Sequence, residues 1–158
     1  MKEKARIMDA QAMGRAVQRI GYEIVERNKG TENVVLIGIQ RRGVPLSQRI
    51  AGHIDRVEGT TVPVGCLDIT FYRDDLSLLS EHPVLNGTDI PFVITGRDVV
   101  LVDDVLFTGR TARAAMDAVM EVGFIKEPVP PVVVLTCVAF TILLVSIPIS
   151  AVDRKSVV

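Results

Sequence analysis

Residues 99–111 read VVLVDDVLFTGRT. Four apolar residues lead directly into two aspartates, Asp103 and Asp104, and a short loop containing glycine, arginine and threonine follows. Adjacent carboxylates are rarely buried unless cations or hydroxyl groups meet them. The stretch therefore predicts a buried strand that carries an acid pair at its carboxyl end, followed by a binding loop.

The segments around this strand predict a single α/β domain over residues 1–158. Apolar residues recur at helical spacing in some segments, and other segments are short apolar runs bounded by turn residues. We expect Asp9 to cap the first helix and Gly30 to end it in the left-handed conformation. Predicted helices cover 9–28, 44–57 and 109–122, and predicted strands cover 34–39, 62–70 and 98–103. This order favours a mainly parallel sheet flanked by helices.

Net charge, the spacing of cysteines and histidines, and the N-terminal sequence each limit what kind of protein this chain can be. The net charge of −1 gives no chain-wide attraction to nucleic acid, so any such surface has to be local. The two cysteines, Cys66 and Cys137, have no metal-ligand spacing and are predicted to be reduced core thiols. Neither His53 nor His82 has a partner at ligand spacing. Residues 1–11 contain no apolar signal region, which favours a cytoplasmic protein.

The C-terminal segment is unusual because residues 128–152 carry no charge. Val, Ile and Thr are frequent there, which favours two core strands at about 132–139 and 141–147. A membrane-anchoring helix is a second interpretation, although the apolar centre is shorter than the ~20 residues that a span needs. An altered tail sequence is a third.

The loop after the acid pair has the features of a phosphate site. It leads into a predicted helix, whose first N–H groups and positive dipole end attract anions. Gly109 allows close approach of the backbone, and Thr108 and Thr111 add hydroxyl groups. The aspartates suit neighbouring hydroxyls such as those of a ribose, so a sugar phosphate would satisfy both parts. The simpler alternative is a solvated acid pair beside a helix cap.

The whole stretch resembles the phosphoribosyl pyrophosphate (PRPP) signature of the type I phosphoribosyltransferases. The resemblance implies that fold, and it implies ribose-binding catalytic roles for Asp103 and Asp104. The implied PRPP-binding residues are Val102, Asp103, Asp104, Val105, Leu106, Phe107, Thr108, Gly109, Arg110 and Thr111.

Two further segments match that family. The loop in GIQRRGVP, residues 38–45, corresponds to the family's pyrophosphate loop, which implies pyrophosphate contacts from Gln40, Arg41, Arg42 and Gly43. The segment DITFYRDDLS, residues 68–77, resembles the start of the family's lid, with Tyr72, Arg73 and Asp74 in it and a catalytic role for Arg73. Taken alone, the two segments are also compatible with a basic surface turn and a solvated charged loop.

A closer resemblance is to the PyrR family, pyrimidine-operon attenuation regulators that are also uracil phosphoribosyltransferases. ERNKG, VGCLDITFYRDDLS and DIPFVITGRDVVLVDDVLFTGRTARAAMDA carry it, over residues 1 to about 123. The resemblance implies binding of PRPP, uracil, UMP or other uridine nucleotides and pyrimidine-operon leader mRNA. It also implies Mg²⁺ with PRPP, no membrane, and homodimers or higher homo-oligomers. Arg15 and Arg19, on the polar side of the first helix, and Arg27, two turns further, lie where the family places RNA contacts.

After Gly123 the sequence departs from the family pattern, which there supplies base contacts and part of the RNA surface. The resemblance therefore extends to the PRPP half of the site rather than to the base-binding half. Two other functions stay open at this point: a plain purine or pyrimidine salvage phosphoribosyltransferase without RNA binding, and a non-catalytic nucleotide-sensing regulator.

Overall fold

A computed structural model of the chain describes residues 8–70, 87–106, 108–122, 132–138 and 141–147. In chain order the elements are α1 (Ala10–Arg27), β1 (Val34–Ile39), α2 (Gly43–Glu58), β2 (Val64–Leu67), β3 (Asp98–Asp103), α3 (Arg110–Val122), β4 (Val132–Val138) and β5 (Thr141–Ile147).

The strands form one five-stranded sheet in the order β2-β1-β3-β4-β5. The pairs β1–β2, β1–β3 and β3–β4 are parallel, and β5 joins the edge antiparallel to β4. The predicted α/β architecture with a mainly parallel sheet is confirmed. Because β1 and β3 are central and are buried on both faces, their sequences are continuous apolar runs rather than alternating ones.

The core has two layers, one on each face of the sheet. Alternate residues of a strand point to opposite faces. Val35 and Leu101 therefore pack in the cluster that includes Ala115 and Ala118 of α3. Their neighbours Leu36 and Val100 pack in the other cluster, with the apolar sides of α1 and α2. The sheet is thus held between α3 on one side and the α1–α2 pair on the other.

The ends of α1 test the capping predictions. Asp9 is the N-cap, and its side chain accepts a hydrogen bond from the Ala12 N–H at 2.7 Å, as predicted. The prediction for Gly30 was wrong by one position: Lys29 has the left-handed conformation, with φ of 56°. Gly30 follows with φ of 133°, and its N–H donates to the Val25 carbonyl. That bond closes the helix end around a lysine instead of a glycine.

Two predicted strand regions can be compared with the structure. β2 is shorter than the predicted 62–70, because its pairing with β1 ends at Ile39 and Leu67, and the Asp68 N–H then donates to the Thr88 hydroxyl. The C-terminal prediction of two strands is confirmed by β4 and β5. Within the described ranges, no helix is long and apolar enough to cross a membrane.

Cys66 is free and half-buried. It is a free thiol, as predicted, but the Gln40 Nε2 atom donates to its Sγ at 3.0 Å, so it has a polar neighbour instead of a fully apolar core environment. The side chain of Cys137 lies outside the described part of the chain.

The junction between α2 and the sheet depends on glycine. A Cβ atom added at Gly43 would lie 2.0 Å from the Val102 carbonyl oxygen, far inside van der Waals contact. One added at Gly38 would lie 2.6 Å from the Val44 Cα atom. The loop from β1 to α2 can therefore fold back tightly, and the first turn of α2 lies directly against the end of β3.

We predict that Gly43→Ala lowers the free energy of unfolding by about 2–4 kcal/mol, because backbone has to move to admit the methyl group. Gly14→Ala is the matched control: it lies in α1, where an added Cβ meets nothing within 4 Å. Alanine there should raise stability by about 0.5–1 kcal/mol. Urea unfolding of both variants measures the difference, and equal stabilities would contradict the close approach.

Candidate functional site

The carboxyl ends of β1, β2 and β3 meet around one open cavity of about 600 Å³. This size is typical of small-molecule sites, and the edge is where parallel sheets bind ligands. Three segments line it: residues 40–42 after β1, 68–70 after β2, and 103–106 with 108–111 at the end of β3 and the start of α3. The lining residues among those described are Gln40, Arg41, Arg42, Asp68, Ile69, Thr70, Asp103, Asp104, Val105, Leu106, Thr108, Gly109, Arg110 and Thr111.

The acid pair lies at the base of the cavity. β3 is apolar up to Val102, so Asp103 is the first carboxylate to leave the core and stays half-buried. This burial, together with the nearby charge of Asp104, raises the pKa of Asp103 from 3.8 to about 6, although the Asp104 N–H donates to Asp103 Oδ1 at 2.8 Å and opposes the change. Asp103 therefore titrates just below neutral pH.

Asp104 has a cationic partner from the neighbouring loop. Arg42 Nη1 lies 3.0 Å from Asp104 Oδ2, and the arginine side chain is 81% exposed. A pair this exposed contributes little to stability. Its significance is positional, because it shows that the guanidinium reaches the space directly above the acid pair. The loop that contains Arg42 also has a cis peptide bond between Gln40 and Arg41.

The N-terminus of α3 faces the same cavity. Gly109 has φ of 79°, in the left-handed region that favours glycine, and its carbonyl accepts the first helical hydrogen bond, from Arg113. The first N–H groups of a helix have no partner within the helix, and Arg110 and Thr111 line the cavity there. The arrangement provides amide donors and a positive dipole end for an anion, a few residues from the two carboxylates.

Sequence reasoning missed the contribution of β2. Asp68 lines the cavity, and its Oδ1 atom accepts from the Thr70 N–H at 2.9 Å. On the same side, Gln40 Nε2 donates to the Gly87 carbonyl at 2.6 Å, which ties the 40–42 loop to the segment that follows residue 86. Asp68 lies inside the predicted strand 62–70, and only the pairing of β2, which ends at Leu67, places it in a loop at the cavity.

The structure brings some of the predicted site residues to the cavity and others not. Most of the predicted PRPP and pyrophosphate residues gather around the cavity. Val102 and Gly43 do not line it: Val102 is 1% exposed in the core, and Gly43 lies against its carbonyl, so both shape the site from beneath. Arg15, Arg19 and Arg27 are exposed on α1, apart from the cavity. The predicted residues Tyr72, Arg73, Asp74 and Phe107 lie outside the described residues.

This arrangement suits a ligand with hydroxyl groups at one end and phosphates at the other. Carboxylates accept from hydroxyls, and arginines with helix N–H groups bind phosphate. In the part of the chain that the structure describes, no three His, Cys, Asp or Glu side chains gather as a metal site. The acid pair nevertheless provides carboxylate oxygens, the ligand type that Mg²⁺ prefers, and diphosphate oxygens would have to supply further ligands.

Comparison with known sequences agrees with this geometry. The sequence profile of the phosphoribosyl transferase domain family matches residues 4–129. The chain is 64% identical to the bifunctional protein PyrR of Acetivibrio thermocellus over 123 residues, which is 78% of this chain and 67% of that protein. It is 54% identical to the bifunctional protein PyrR of Clostridioides difficile, again over 123 residues, 78% of this chain and 70% of that protein.

Comparison with solved structures shows the same fold. A purine phosphoribosyltransferase from Pyrococcus horikoshii Ot3 superposes with a TM-score of 0.56 at 23% identity, covering 82% of this chain and 74% of the other. A hypoxanthine phosphoribosyltransferase from Staphylococcus aureus gives a TM-score of 0.58 at 16% identity, covering 84% and 66%.

The raised pKa of Asp103 makes a prediction about stability. Because its pKa is higher in the folded than in the unfolded chain, the folded state binds the extra proton and stability falls as pH rises from about 4 to about 6. We expect Asp103→Asn to be more stable than wild type by about 1–2 kcal/mol at pH 7, after discounting the full shift for solvent screening. The difference should vanish near pH 4.

Urea unfolding at several pH values between 4 and 7 measures this effect. Asp98→Asn, at the opposite end of β3, is the control and should show no comparable trend. An Asp103→Asn protein that is less stable than wild type at pH 7 would show that the fold favours the charged carboxylate.

Proposed function

The chain belongs to the phosphoribosyl transferase family, with PyrR proteins among its relatives, and from this premise we propose that it is a pyrimidine-operon regulator with uracil phosphoribosyltransferase activity. In this proposal it converts uracil and PRPP to UMP and pyrophosphate. It also binds leader mRNA of the pyrimidine biosynthesis operon when a uridine nucleotide is bound, and so attenuates transcription.

One observation carries the enzymatic half of the proposal. The acid pair, the N-terminus of α3 and the 40–42 loop line a single cavity. PRPP has a ribose diol, a 5-phosphate and a diphosphate on C1, so it needs hydroxyl acceptors between two phosphate sites. Asp103 and Asp104 accept from the diol, the α3 N-terminus binds the 5-phosphate, and the 40–42 loop binds the diphosphate.

The reaction needs no nucleophilic side chain. A base nitrogen attacks C1 while pyrophosphate leaves, and the ribose acquires oxocarbenium character in the transition state. The protein accelerates this step by positioning both reactants and by stabilising charge on the leaving diphosphate. Arg41 and Arg42 serve the diphosphate from the cavity wall, and Arg73 does so from the lid in the proposal. The carboxylates stabilise the positive charge that develops on the ribose.

The ion pair between Arg42 and Asp104 suggests that Arg42 changes partners, from this carboxylate to the diphosphate, when PRPP binds. In the structure the Arg42 guanidinium is 3.0 Å from the Asp104 carboxylate. A diphosphate offers more negative charge than one carboxylate, and Arg42 is exposed enough to turn toward it. The exchange frees Asp104 for the ribose hydroxyls at the moment when PRPP arrives.

Mg²⁺ belongs to this proposal as a companion of PRPP. Diphosphate oxygens would hold the metal, and Asp103 and Asp104 would be able to contribute carboxylate ligands from the protein. When bound, it would neutralise charge on the leaving group.

The regulatory half is proposed to use the polar side of α1. Arg15 and Arg19 are exposed there, opposite the buried Val17 and Ile20, and Arg27 is exposed in the last turn of the helix, so all three are available to RNA phosphates. We propose homodimers or higher homo-oligomers, as in the family. The two rival functions differ measurably from this one: a plain salvage enzyme would not bind leader RNA, and a non-catalytic sensor would not form UMP from uracil and PRPP.

We predict that Asp104→Asn weakens PRPP binding by about 1.5–3 kcal/mol, because a charge-assisted hydrogen bond to the ribose is lost. Isothermal calorimetry with PRPP measures the affinity, and UMP formation from uracil and PRPP measures turnover. Asp98→Asn on the same strand serves as the control. Wild-type protein that forms no UMP would reject the transferase, whereas unchanged PRPP affinity in Asp104→Asn would reject only the role of this aspartate.

We predict that Arg19→Ala weakens binding to a pyrimidine-operon leader transcript and leaves PRPP affinity unchanged. The reason is that an exposed guanidinium on α1 contacts phosphates only, and so the slope of log affinity against log salt should decrease by about one. Filter binding across a salt series measures both quantities. Arg113→Ala on α3 is the matched control, and equal behaviour of the two variants would place the RNA elsewhere.

A further inference from the structure

A second cavity, of about 430 Å³, lies between α1 and α2 and shares no lining residue with the first. α1 contributes Ala10, Met13, Gly14, Val17 and Gln18, and α2 contributes Arg49, Gly52, His53 and Arg56. The proposed transferase reaction uses none of these residues.

The charge of this α1–α2 groove has one sign. Its lining contains two arginines and no carboxylate. Arg49 and Arg56 are seven residues apart, two turns along the same side of α2. Arg56 Nε donates to the Gly52 carbonyl at 3.0 Å, which orients the guanidinium beside the groove. Among the described residues, neither arginine forms an ion pair with a carboxylate, so both cations are available to an anion.

The floor of the groove is small and contains a polar atom without a partner. Atoms added as Cβ at Gly14 and at Gly52 would meet nothing within 4 Å, so each glycine leaves open space. His53 is only 7% exposed, and its Nε2 atom has no hydrogen-bond partner among the residues that the structure describes. The Tyr22 ring lies edge-on to its imidazole, with centroids 5.0 Å apart. The Nε2 atom is itself buried, so what the groove offers a ligand is the imidazole of His53 beside the apolar Met13 and Val17.

We propose that the α1–α2 groove binds one nucleotide unit of the regulated RNA, with its phosphate between Arg49 and Arg56 and its base toward His53. This inference rests on the proposed regulatory function. Two observations favour RNA: the groove places two arginines beside apolar side chains and an imidazole on which an unstacked base can pack, and it adjoins the exposed Arg15 and Arg19, which lie within one turn of Gln18. The RNA surface would thus extend from α1 onto α2.

The central test uses the open position in the groove. Gly52→Glu and Gly52→Gln introduce side chains of nearly equal size, and both should fold because an added Cβ meets no atom. Both fill part of the groove, but only glutamate repels phosphate. We expect Gly52→Glu to weaken binding of a fluorescein-labelled leader transcript by at least tenfold more than Gly52→Gln. Anisotropy titrations with UMP at one saturating concentration measure this difference.

Variants that remove the positive charge of one groove arginine provide a second test of the proposal. Arg49→Gln and Arg56→Gln should each weaken transcript binding about 5- to 20-fold and lower the salt slope by about one. Arg113→Gln on α3 should behave as wild type. PRPP affinity should be unchanged in every variant, because the two cavities share no lining residue.

The possible results distinguish failure of the groove proposal from failure of the regulatory function. If wild-type protein binds the leader transcript no better than a shuffled transcript, the regulatory function is rejected and this inference with it. If wild type binds specifically and the groove variants match Arg113→Gln, the groove is rejected and the regulatory function stands. If calorimetry without RNA shows that Arg49→Gln loses a UMP site while transcript binding is unchanged, the groove serves a free nucleotide and the RNA assignment is wrong.

Discussion

The contact between Gly43 and the Val102 carbonyl is the constraint on which the rest of the site depends. With no side chain at Gly43, the first turn of α2 can lie against the end of β3, where a Cβ atom would be 2.0 Å from oxygen. This contact brings the end of the 40–42 loop over the acid pair, and Arg42 reaches Asp104 as a result. The cavity exists because two chain segments that are distant in sequence touch without side chains between them.

The strand β3 stabilises the core, but it also carries a partly buried carboxylate at its end, which costs free energy. From Val99 to Val102 β3 is almost completely buried, and the next residue is a carboxylate that the core has partly desolvated. Proteins commonly accept such local instability where a ligand later supplies the missing partner. Here the partners would be hydroxyls and cations brought by the ligand, so the acid pair is arranged to contact a ligand.

Local patterns were sufficient to predict much of the fold. The apolar runs gave β1 and β3, helical periodicity gave α1, and the acid pair with its glycine-containing loop gave the position of the site. Features that depend on contacts between distant segments were not accessible: the short β2, the Arg42–Asp104 pair, the role of Asp68, and the environment of His53. The prediction for the end of α1 was wrong for a different reason, because Lys29 has the left-handed conformation that glycine usually occupies.

The pairing of β1 with β3 has a consequence for how the chain folds. Val34 pairs with Asp98, and β1 therefore meets one of its two partners only after the whole intervening segment has been made. Contacts so far apart in sequence have a large loop-closure cost and slow the folding of a domain. During synthesis, the edge of β1 that will pair with β3 stays without its partner until β3 leaves the ribosome. Chaperone dependence and yield at high expression temperature should thus depend on the interval between these two strands.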